Sequence, residues 1–489
     1  KGGGCRDGEE RFKSYFAINA NKRLVFGFYI DYLYGRGLYQ DQSTAFFNGG
    51  LFSSYRGDKY DMHFIFNNDN LKMAENGGIT DDRYITNPLD MAEGKKEYSA
   101  NEIPTRLSQI WNHNTSYHAF LTTRYNLGIY KKKQDSMATD SVKIKQVFVP
   151  VTSFLHTLQV DLNNRKYISY DDAQNQKYFE HNYLGTDSID KTKRTSIKNT
   201  IGISLQEGFN KWAKAGLTAF LSYEYRNIAL TDTTNIPGQR IINNYKESSL
   251  SIGGELSKKQ GKLLHYNILG ELAIAGEDAG QFSVEGRGDL NLRLFGDTVR
   301  LDVNAFIKNQ NPVFYFRHFQ SKHYWWDNND LSKIMRTRLE GKLSLNRWGT
   351  HLRAGVENIK NYTYLANASI PVKDSEGNVT GFKNNAAVRQ HSGNIQIFTA
   401  MLQQKLKVGI FHLDGEVAYQ KSSEQDILPL PELSAYGNLY MKFGLAKKVL
   451  QIEMGADVRY FSKYYAPDYS PVIGQFYNQN PDAKIEIGA

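Results

Sequence analysis

The amino-acid sequence predicts an all-β fold: a transmembrane, up-and-down antiparallel β-barrel of about 18 or more strands. Three observations predict it. Polar and apolar residues alternate in many segments, short and long connections alternate along the chain, and no run of about 18 apolar residues is present. The mean hydropathy of the 489 residues is −0.55, although aromatic residues reach 13%. Because a membrane-spanning strand offers lipid only every second residue, this composition fits a barrel.

The stretch from Arg23 to Gly37 shows the alternation most simply. One row is wholly apolar or aromatic: Leu24, Phe26, Phe28, Ile30, Tyr32 and Tyr34. The other row mixes small, apolar and charged residues around Asp31. Similar alternation recurs in residues 60–66, 117–129, 215–226, 282–294 and 299–308. A period of two residues over this length predicts strands and not helices.

The connections between these segments also alternate in length. Short ones are residues 19–22, 56–59, 258–261, 295–298, 346–350 and 446–448. Longer ones are 36–45, about 68–115, about 163–194, 227–246, 310–330, 364–392 and 421–433. A barrel with short periplasmic turns and long extracellular loops produces this order, whereas a sandwich has shorter strands and a propeller repeats its motif. We therefore predict a single barrel domain over residues 1–489.

A membrane barrel places its apolar row against lipid and its polar row towards an aqueous lumen. The residues predicted to face lipid or form the aromatic belt are Phe26, Phe28, Tyr32, Tyr34, Phe64, Phe66, Tyr223 and Tyr225. The residues predicted to line the pore are Asp31, Arg124, Glu224, Arg226, Glu285, Arg287, Asp289, Arg293, Arg300, Asp302, Arg336, Arg338, Glu340, Arg353 and Glu357. An alternative interpretation is that these charges form structural ladders, in which cross-strand pairs neutralise one another.

Residues 311–329 form the most aromatic loop, NPVFYFRHFQSKHYWWDNN. Its tryptophans favour an aromatic belt or loop packing, and sugar stacking is an alternative. His318 and His323 could suggest a metal site, but their spacing is not a strong ligand pattern. We predict no metal, no cofactor and no enzyme activity, since no Gly-x-Ser-x-Gly motif or catalytic triad is recognisable.

The net charge is +9 and the sequence pI is about 9.1. Basic clusters such as residues 131–133 fit solvated turns, so we expect no nucleic-acid partner. Outer-membrane lipid and lipopolysaccharide, whose headgroups carry phosphate, are the expected partners. If the excess positive charge lies in the lumen, a mild preference for anions follows. The single cysteine, Cys5, excludes an intrachain disulfide and fits a free thiol.

Four segments carry a family resemblance: FVPVTSFLHTLQVD (148–161), NPVFYFRHFQSKHYWWDN (311–328), LPLPELSAYGNLYM (428–441) and YYAPDYSPVIGQFYNQNPDAKIEIG (464–488). They resemble the "putative porin" β-barrel family of Bacteroidota outer membranes. The resemblance implies a multi-pass barrel in the outer membrane of a Gram-negative bacterium, without a defined substrate or catalytic residue. Family members are usually longer. The closing residues 484–489 look like the opening of another strand, so we expect the full protein to contain further N- and C-terminal parts.

Two functions remain open from the sequence. The first is a porin-like channel for ion transport and passive diffusion of small hydrophilic solutes through a charged lumen. The second is a structural or interaction barrel, part of a larger complex with other outer-membrane proteins or lipoproteins, whose long loops plug the lumen. The two hypotheses differ in the width of the lumen along its axis.

Overall fold

The computed structural model describes residues 8–91, 99–134, 144–208, 214–233, 240–294 and 296–488, so Cys5 lies outside the described residues. The strands are β1 (Glu9–Asn19), β2 (Leu24–Gly35), β3 (Thr44–Arg56), β4 (Tyr60–Ala74), β5 (Ile110–Gln134), β6 (Ile144–Ser169), β7 (Ile189–Leu205), β8 (Gly216–Thr233), β9 (Arg240–Lys258), β10 (Leu264–Gly276), β11 (Phe282–Leu294), β12 (Asp297–Gln310), β13 (His318–Gln320), β14 (Trp325–Asp327), β15 (Ile334–Leu345), β16 (Thr350–Asn367), β17 (Ile370–Lys373), β18 (Val379–Lys383), β19 (Ala386–Val408), β20 (Phe411–Ser422), β21 (Leu433–Leu445), β22 (Leu450–Phe461), β23 (Asp468–Ser470) and β24 (Gln475–Tyr477).

The helices are short. They are α1 (Arg83–Thr86), α2 (Pro88–Met91), α3 (Asp172–Tyr178) and α4 (Phe314–Arg317), with 3-10 turns at Ala100–Glu102, Asn346–Trp348, Ala446–Lys448 and Pro481–Ala483. Among the described residues, no helix has the length and apolar content needed to span a membrane.

One antiparallel sheet of 18 strands dominates the described residues, and three small hairpins (β13–β14, β17–β18 and β23–β24) lie outside it. Each strand of the large sheet pairs with the next one along the chain, as an up-and-down order requires. The all-β, antiparallel prediction and the strand number are therefore confirmed. Several strands are longer than the roughly 10–14 residues expected for a membrane span: β5 has 25 residues and β6 has 26.

The predicted alternation of connection length holds with exceptions. Residues 57–59, 346–349 and 409–410 are tight turns at one end of the sheet, whereas 75–109 and 311–333 are long connections at the other end. Residues 277–281 make a brief connection at the long-loop end. The expected strand at residues 484–489 is wrong for the described part, because Ile487 forms only an isolated bridge with Tyr464.

The pairing register gives the sheet one apolar face and one polar face. Phe28 lies opposite Leu51, Leu51 opposite Phe66, and further pairs continue this row across the sheet. Asp31 and the other charged rows lie on the opposite face because successive side chains of a strand alternate. We call these the apolar face and the polar face. Phe28 is 40% exposed on the apolar face, which no other part of the described chain covers.

The sheet curls so that the polar face is concave. Asn112 on β5 and Arg165 on β6 bind the backbone of Pro471 and Val472, while Asn367 at the end of β16 binds Tyr477. Seven strands separate β6 from β16. In a flat sheet that separation would be about 38 Å, but six residues reach at most roughly 20 Å. Only strong curvature brings both strands to the same short segment.

Two strands form the edges of the sheet. Within the described residues β1 pairs only with β2, and β22 pairs only with β21. Almost every residue of both strands is exposed, on both faces. The interior beside these two strands therefore lacks the packing found near the middle of the sheet.

The buried apolar cluster lies at the long-loop end of the sheet and joins four connections or strand ends with the segment after β22. We call it the cap: Leu107, Ile110, Tyr167, Phe179, Phe319, Tyr324, Trp326, Ala386, Val472 and Tyr477. Leu107, Ile110, Tyr167 and Val472 have no exposed surface. Residues distant in sequence thus form a small core on the concave side, where the sheet alone would leave an open mouth.

We expect Leu107→Ala to loosen the cap by about 2–5 kcal/mol, since it removes a fully buried side chain from a packed site. Hydrogen exchange of the Leu107 amide, which donates to the carbonyl of Asn76, should accelerate while exchange within the strands stays unchanged. Leu89→Ala is the matched control, because Leu89 lies in the same connection and is 74% exposed. Equal effects of the two substitutions would contradict a packed cap.

Candidate lumen and cap

Every residue predicted to line the pore lies on the polar face, and every residue predicted to face lipid lies on the apolar face. Asp31, for example, pairs across the strands with Lys13, and Phe28 with Phe16. The register therefore separates the two predicted sets completely. That the one set lines a pore and the other contacts lipid remains a prediction.

Many charges of the polar face form ion pairs between neighbouring strands. The Asp31 carboxylate accepts two hydrogen bonds from Arg11, the shorter at 2.7 Å. Lys308 of β12 lies 2.6 Å from Glu285 of β11, whereas Arg300 lies 2.7 Å from Asp302 of its own strand, β12. Because exposed pairs contribute only about 0–1 kcal/mol each, their main effect is to neutralise the wall locally. The ladder interpretation fits these residues.

The densest ladder crosses β15 and β16. Glu340 accepts hydrogen bonds from Arg338 and, at 2.7 Å, from Arg353. Arg336 binds Glu357 at 2.5 Å on the same face. Glu340 is buried among these guanidinium groups, and such charge-assisted contacts hold their side chains in fixed positions.

A second charged cluster connects the wall to the loops. Arg226 binds Glu247 at 3.0 Å and Asp278 at 2.7 Å, and Arg317 of α4 binds Glu247 at 2.8 Å. Burial by itself would raise the pKa of Asp278, but hydrogen bonds from Arg226 and Ser249 outweigh burial and lower it. Asp278 therefore stays ionised, and α4 is tied to the wall through charged groups.

The aromatic loop at 311–333 packs into the cap. Trp326 is buried, and its Nε1 donates to the carbonyl of Tyr315 at 2.9 Å. The imidazole of His323 stacks on Phe179 with 3.9 Å between ring centres. His318 instead binds Asp327 at 2.6 Å, so the two histidines do not converge on one point. Loop packing is thus the interpretation that the geometry supports for His323 and Trp326.

The β23–β24 hairpin is held at one end by a buried hydrogen-bond network. Asn112 Nδ2 donates to the Pro471 carbonyl and to Oε1 of Glu75, each at 2.6 Å. The Tyr469 hydroxyl donates to the same Oε1 at 2.8 Å. Arg165 donates to Oδ1 of Asn112 at 2.8 Å and to the carbonyl of Val472.

The other end of the hairpin is held by the opposite wall. Asn384 and Asn367 donate to the Tyr477 hydroxyl at 2.8 and 3.1 Å. Asn478 exchanges backbone hydrogen bonds with Leu365 and Asn367. The hairpin therefore crosses the concave side of the sheet, anchored on both sides by buried polar groups.

Beneath this hairpin lies a cavity of about 710 Å³. Strand residues of β5, β6, β7 and β16, the 311–333 connection, the 423–432 connection and the hairpin all contribute to it. Its walls are largely aromatic and aliphatic, and Arg165 is the one charged residue among those lining it in the described part of the chain.

Sequence reasoning missed the groups that hold the hairpin, namely Glu75, Asn112, Arg165, Tyr469 and Tyr477. None stands in a motif, and the carboxyl-terminal segment offered only the resemblance of residues 464–488 as a signal. Their partners lie between 37 and 394 positions away along the chain, so no local pattern indicates them.

The fold is shared with solved structures of receptors and transporters. A mutant of the ferric enterobactin receptor PfeA of Pseudomonas aeruginosa aligns with a TM-score of 0.59 and 10% identity, over 98% of this chain and 68% of that chain. The siderophore receptor PirA of Pseudomonas aeruginosa gives 0.55 and 10%, over 94% and 70%. The copper transporter OprC gives 0.58 and 9%, over 94% and 67%. At such identities the likeness concerns the fold alone.

The sequence comparison with protein families gives one match, a family described as "Putative porin", over residues 1–489. No protein of curated function matches the chain.

The pKa of Glu75 generates a prediction for the cap. Burial raises this pKa above its ordinary value of 4.5, and the hydrogen bonds from Asn112 and Tyr469 offset only part of the effect. Because the folded state binds this proton more tightly, the protonated Glu75 carboxyl contributes its full stabilisation of the cap below pH 4.5. This contribution is lost as the pH rises through the raised pKa. Each pKa unit of this increase corresponds to about a tenfold change in the equilibrium constant for opening of the cap.

Glu75→Gln keeps an oxygen that can accept both hydrogen bonds but cannot ionise. We expect hydrogen exchange of the hairpin amides, corrected for intrinsic rates, to match the native protein at pH 4. At pH 8 the variant should exchange more slowly than the native protein. Identical pH profiles for the two proteins would contradict the burial of an ionisable carboxyl group at this position.

Proposed function

Since the chain belongs to the family described as "Putative porin", we propose that it is an outer-membrane channel whose lumen is restricted by the cap. Its sheet closes into a barrel with the polar face inside and the apolar face against outer-membrane lipid and lipopolysaccharide. Small hydrophilic solutes cross passively along the charged wall, at a rate set by the cap. The proposal assigns the protein no catalytic step.

Membrane burial supports the closed barrel. Lipid cannot satisfy backbone hydrogen-bonding groups, so a spanning sheet must leave no open edge. β1 and β22 run in opposite directions, since the strands alternate and their number is even. Closure brings these two strands together as antiparallel neighbours, directly or through further strands. The tight turns then face the periplasm and the cap faces outwards.

The observation that supports a restricted channel is the hairpin that crosses the concave face of the sheet. It connects β5 and β6 to β16 by buried hydrogen bonds, and its Val472 has no exposed surface. A general diffusion pore needs an unobstructed path, whereas this segment lies across the interior. The charged wall continues towards the tight turns, as a path for hydrated solutes requires.

A second function, a structural subunit of a larger outer-membrane complex, is favoured by the exposed edges β1 and β22. An unpaired strand edge can accept a strand from another protein. In that case other outer-membrane proteins or lipoproteins would be stable partners, and removal of the hairpin would not create a conducting path.

Conductance in planar bilayers tests these functions. We expect the native chain to give small or infrequent steps. Replacing residues 468–477 by a short Gly/Ser linker should raise the conductance at least threefold, because it removes the segment across the lumen. Replacing the exposed turn at residues 374–378 by the same linker is the matched control and should change nothing.

The outcomes separate the alternatives. Large, steady steps from the native chain that equal those of the hairpin variant would show an open pore. If neither protein conducts although both are folded, the structural role is favoured and the channel proposal fails. Co-purification of the native chain with another barrel or a lipoprotein would then be the next observation to seek.

The orientation of the two faces is tested by a pair of substitutions in β2. Phe28→Arg should cost about 2–4 kcal/mol if the side chain lies near the bilayer midplane. Asp31→Asn, three residues away on the polar face, should insert normally and change only ion selectivity. Equal insertion of both variants into bilayers, measured by the heat-dependent gel mobility of folded barrels, would contradict the assignment.

A further inference from the structure

The cavity beneath the hairpin has the dimensions of a ligand site. Its volume of about 710 Å³ falls within the range of about 300–1,000 Å³ found for small-molecule pockets. It lies between two walls of the sheet and the cap, where side chains from several elements are held by packing. A molecule bound here would therefore meet fixed and not mobile groups.

The lining is suited to an apolar or aromatic body. The rings of Tyr362 and Tyr364 stack with 5.9 Å between their centres and their planes within 8° of parallel, so together they form an aromatic part of the lining. Phe319 and Trp326 stack at 4.9 Å on another wall. Phe476 of the hairpin contributes a ring that is 68% exposed. Large apolar surface left open in a polar interior is unfavourable, and an apolar occupant would cover it.

Arg165 adds one positive charge to this lining. Its Nη2 donates to Asn112 and to the Val472 carbonyl. Nη1 and Nε make no hydrogen bond within the described chain, and no carboxylate there lies within the 4.0 Å of an ion pair. Arg300, Arg336 and Arg353 of the same polar face are all paired with acids.

The nearest acidic groups have other partners. Glu75 accepts from Asn112 and Tyr469, and Asp190 accepts from the backbone amide of Lys322 at 3.2 Å. Neither carboxylate lines the cavity. Nε and Nη1 of Arg165 therefore each keep a donor for a bound anion. Because they lie on different edges of the guanidinium, a carboxylate or sulfonate would accept a charge-assisted hydrogen bond from one of them.

We propose that this cavity binds an organic anion, with an apolar or aromatic body on the rings and a single carboxylate or sulfonate on Arg165. The inference deepens the proposed function, because the bound molecule would be a substrate class that the restricted channel prefers. Binding nevertheless can be measured without transport, so the two can fail separately.

The test uses three probes of equal shape and different charge. They are 4-(trifluoromethyl)benzoate, its neutral benzamide and the corresponding benzylammonium ion, observed by fluorine NMR with the full chain in lipid nanodiscs. Empty nanodiscs report partition into lipid, which is subtracted. We expect the benzoate to bind at least tenfold more tightly than the benzamide, and the cation to show no specific binding.

Substitutions separate the contribution of the Arg165 charge to binding from the contribution of the aromatic rings. Arg165→Gln should bring the benzoate down to the affinity of the benzamide, whereas Arg165→Lys should keep part of the preference. Phe476→Ala should weaken both probes at least threefold while leaving their ratio unchanged. Arg56→Gln is the control, since Arg56 ends β3 at the tight-turn end of the sheet.

The proposal is overturned if benzoate and benzamide bind the native chain equally, or if Arg165→Gln retains the preference. Because Arg165 also holds the hairpin, each variant is first checked for native hydrogen exchange at residues 468–477. An intact Arg165→Gln variant that still prefers the anion would be decisive. Anion binding without conductance would retain the cavity site and reject only the channel.

Discussion

In-register pairing of neighbouring strands is the constraint on which the rest of the structure depends. A shift by one residue at any pair would move every side chain of a strand to the other face. The rows instead keep their faces from β1 to β22, so Phe28 belongs to the same surface as Leu352 and Leu439. In the described part of the large sheet, register shifts occur near Leu127, Ala273 and Lys360, each in the carboxyl-terminal half of its strand.

Because the polar face stays the same across the sheet, acidic and basic residues become neighbours in the wall. Acids and bases meet there across the strands, as Glu285 does with Lys308 and Asp31 with Arg11. The net charge of +9 therefore gives little information about the preference of the lumen. Selectivity depends on charges that have no carboxylate within ion-pair distance, and among the described residues Arg165, beside the cavity, is such a group.

The curved sheet also makes the cap possible. Curvature brings Asn112 and Asn367 close enough to hold one short hairpin, and Val472 and Tyr477 of that hairpin are buried in the cap. Buried polar groups are costly unless they are bonded, so the paired contacts at both ends fix the position of the segment. The same arrangement leaves the cavity below the hairpin, since the aromatic side chains of opposite walls do not meet.

The sequence by itself determined the antiparallel strands, their approximate number and the face of each residue. Period-two alternation is local, and a row such as Leu24 to Tyr34 is legible without any partner. It could not show that β5 and β6 extend far beyond a membrane span, or that residues 484–488 would not continue as a strand. Only the tertiary structure decided the cap, because its contacts join positions such as 112 and 471. Those contacts depend on curvature summed over many strands, which no single segment encodes.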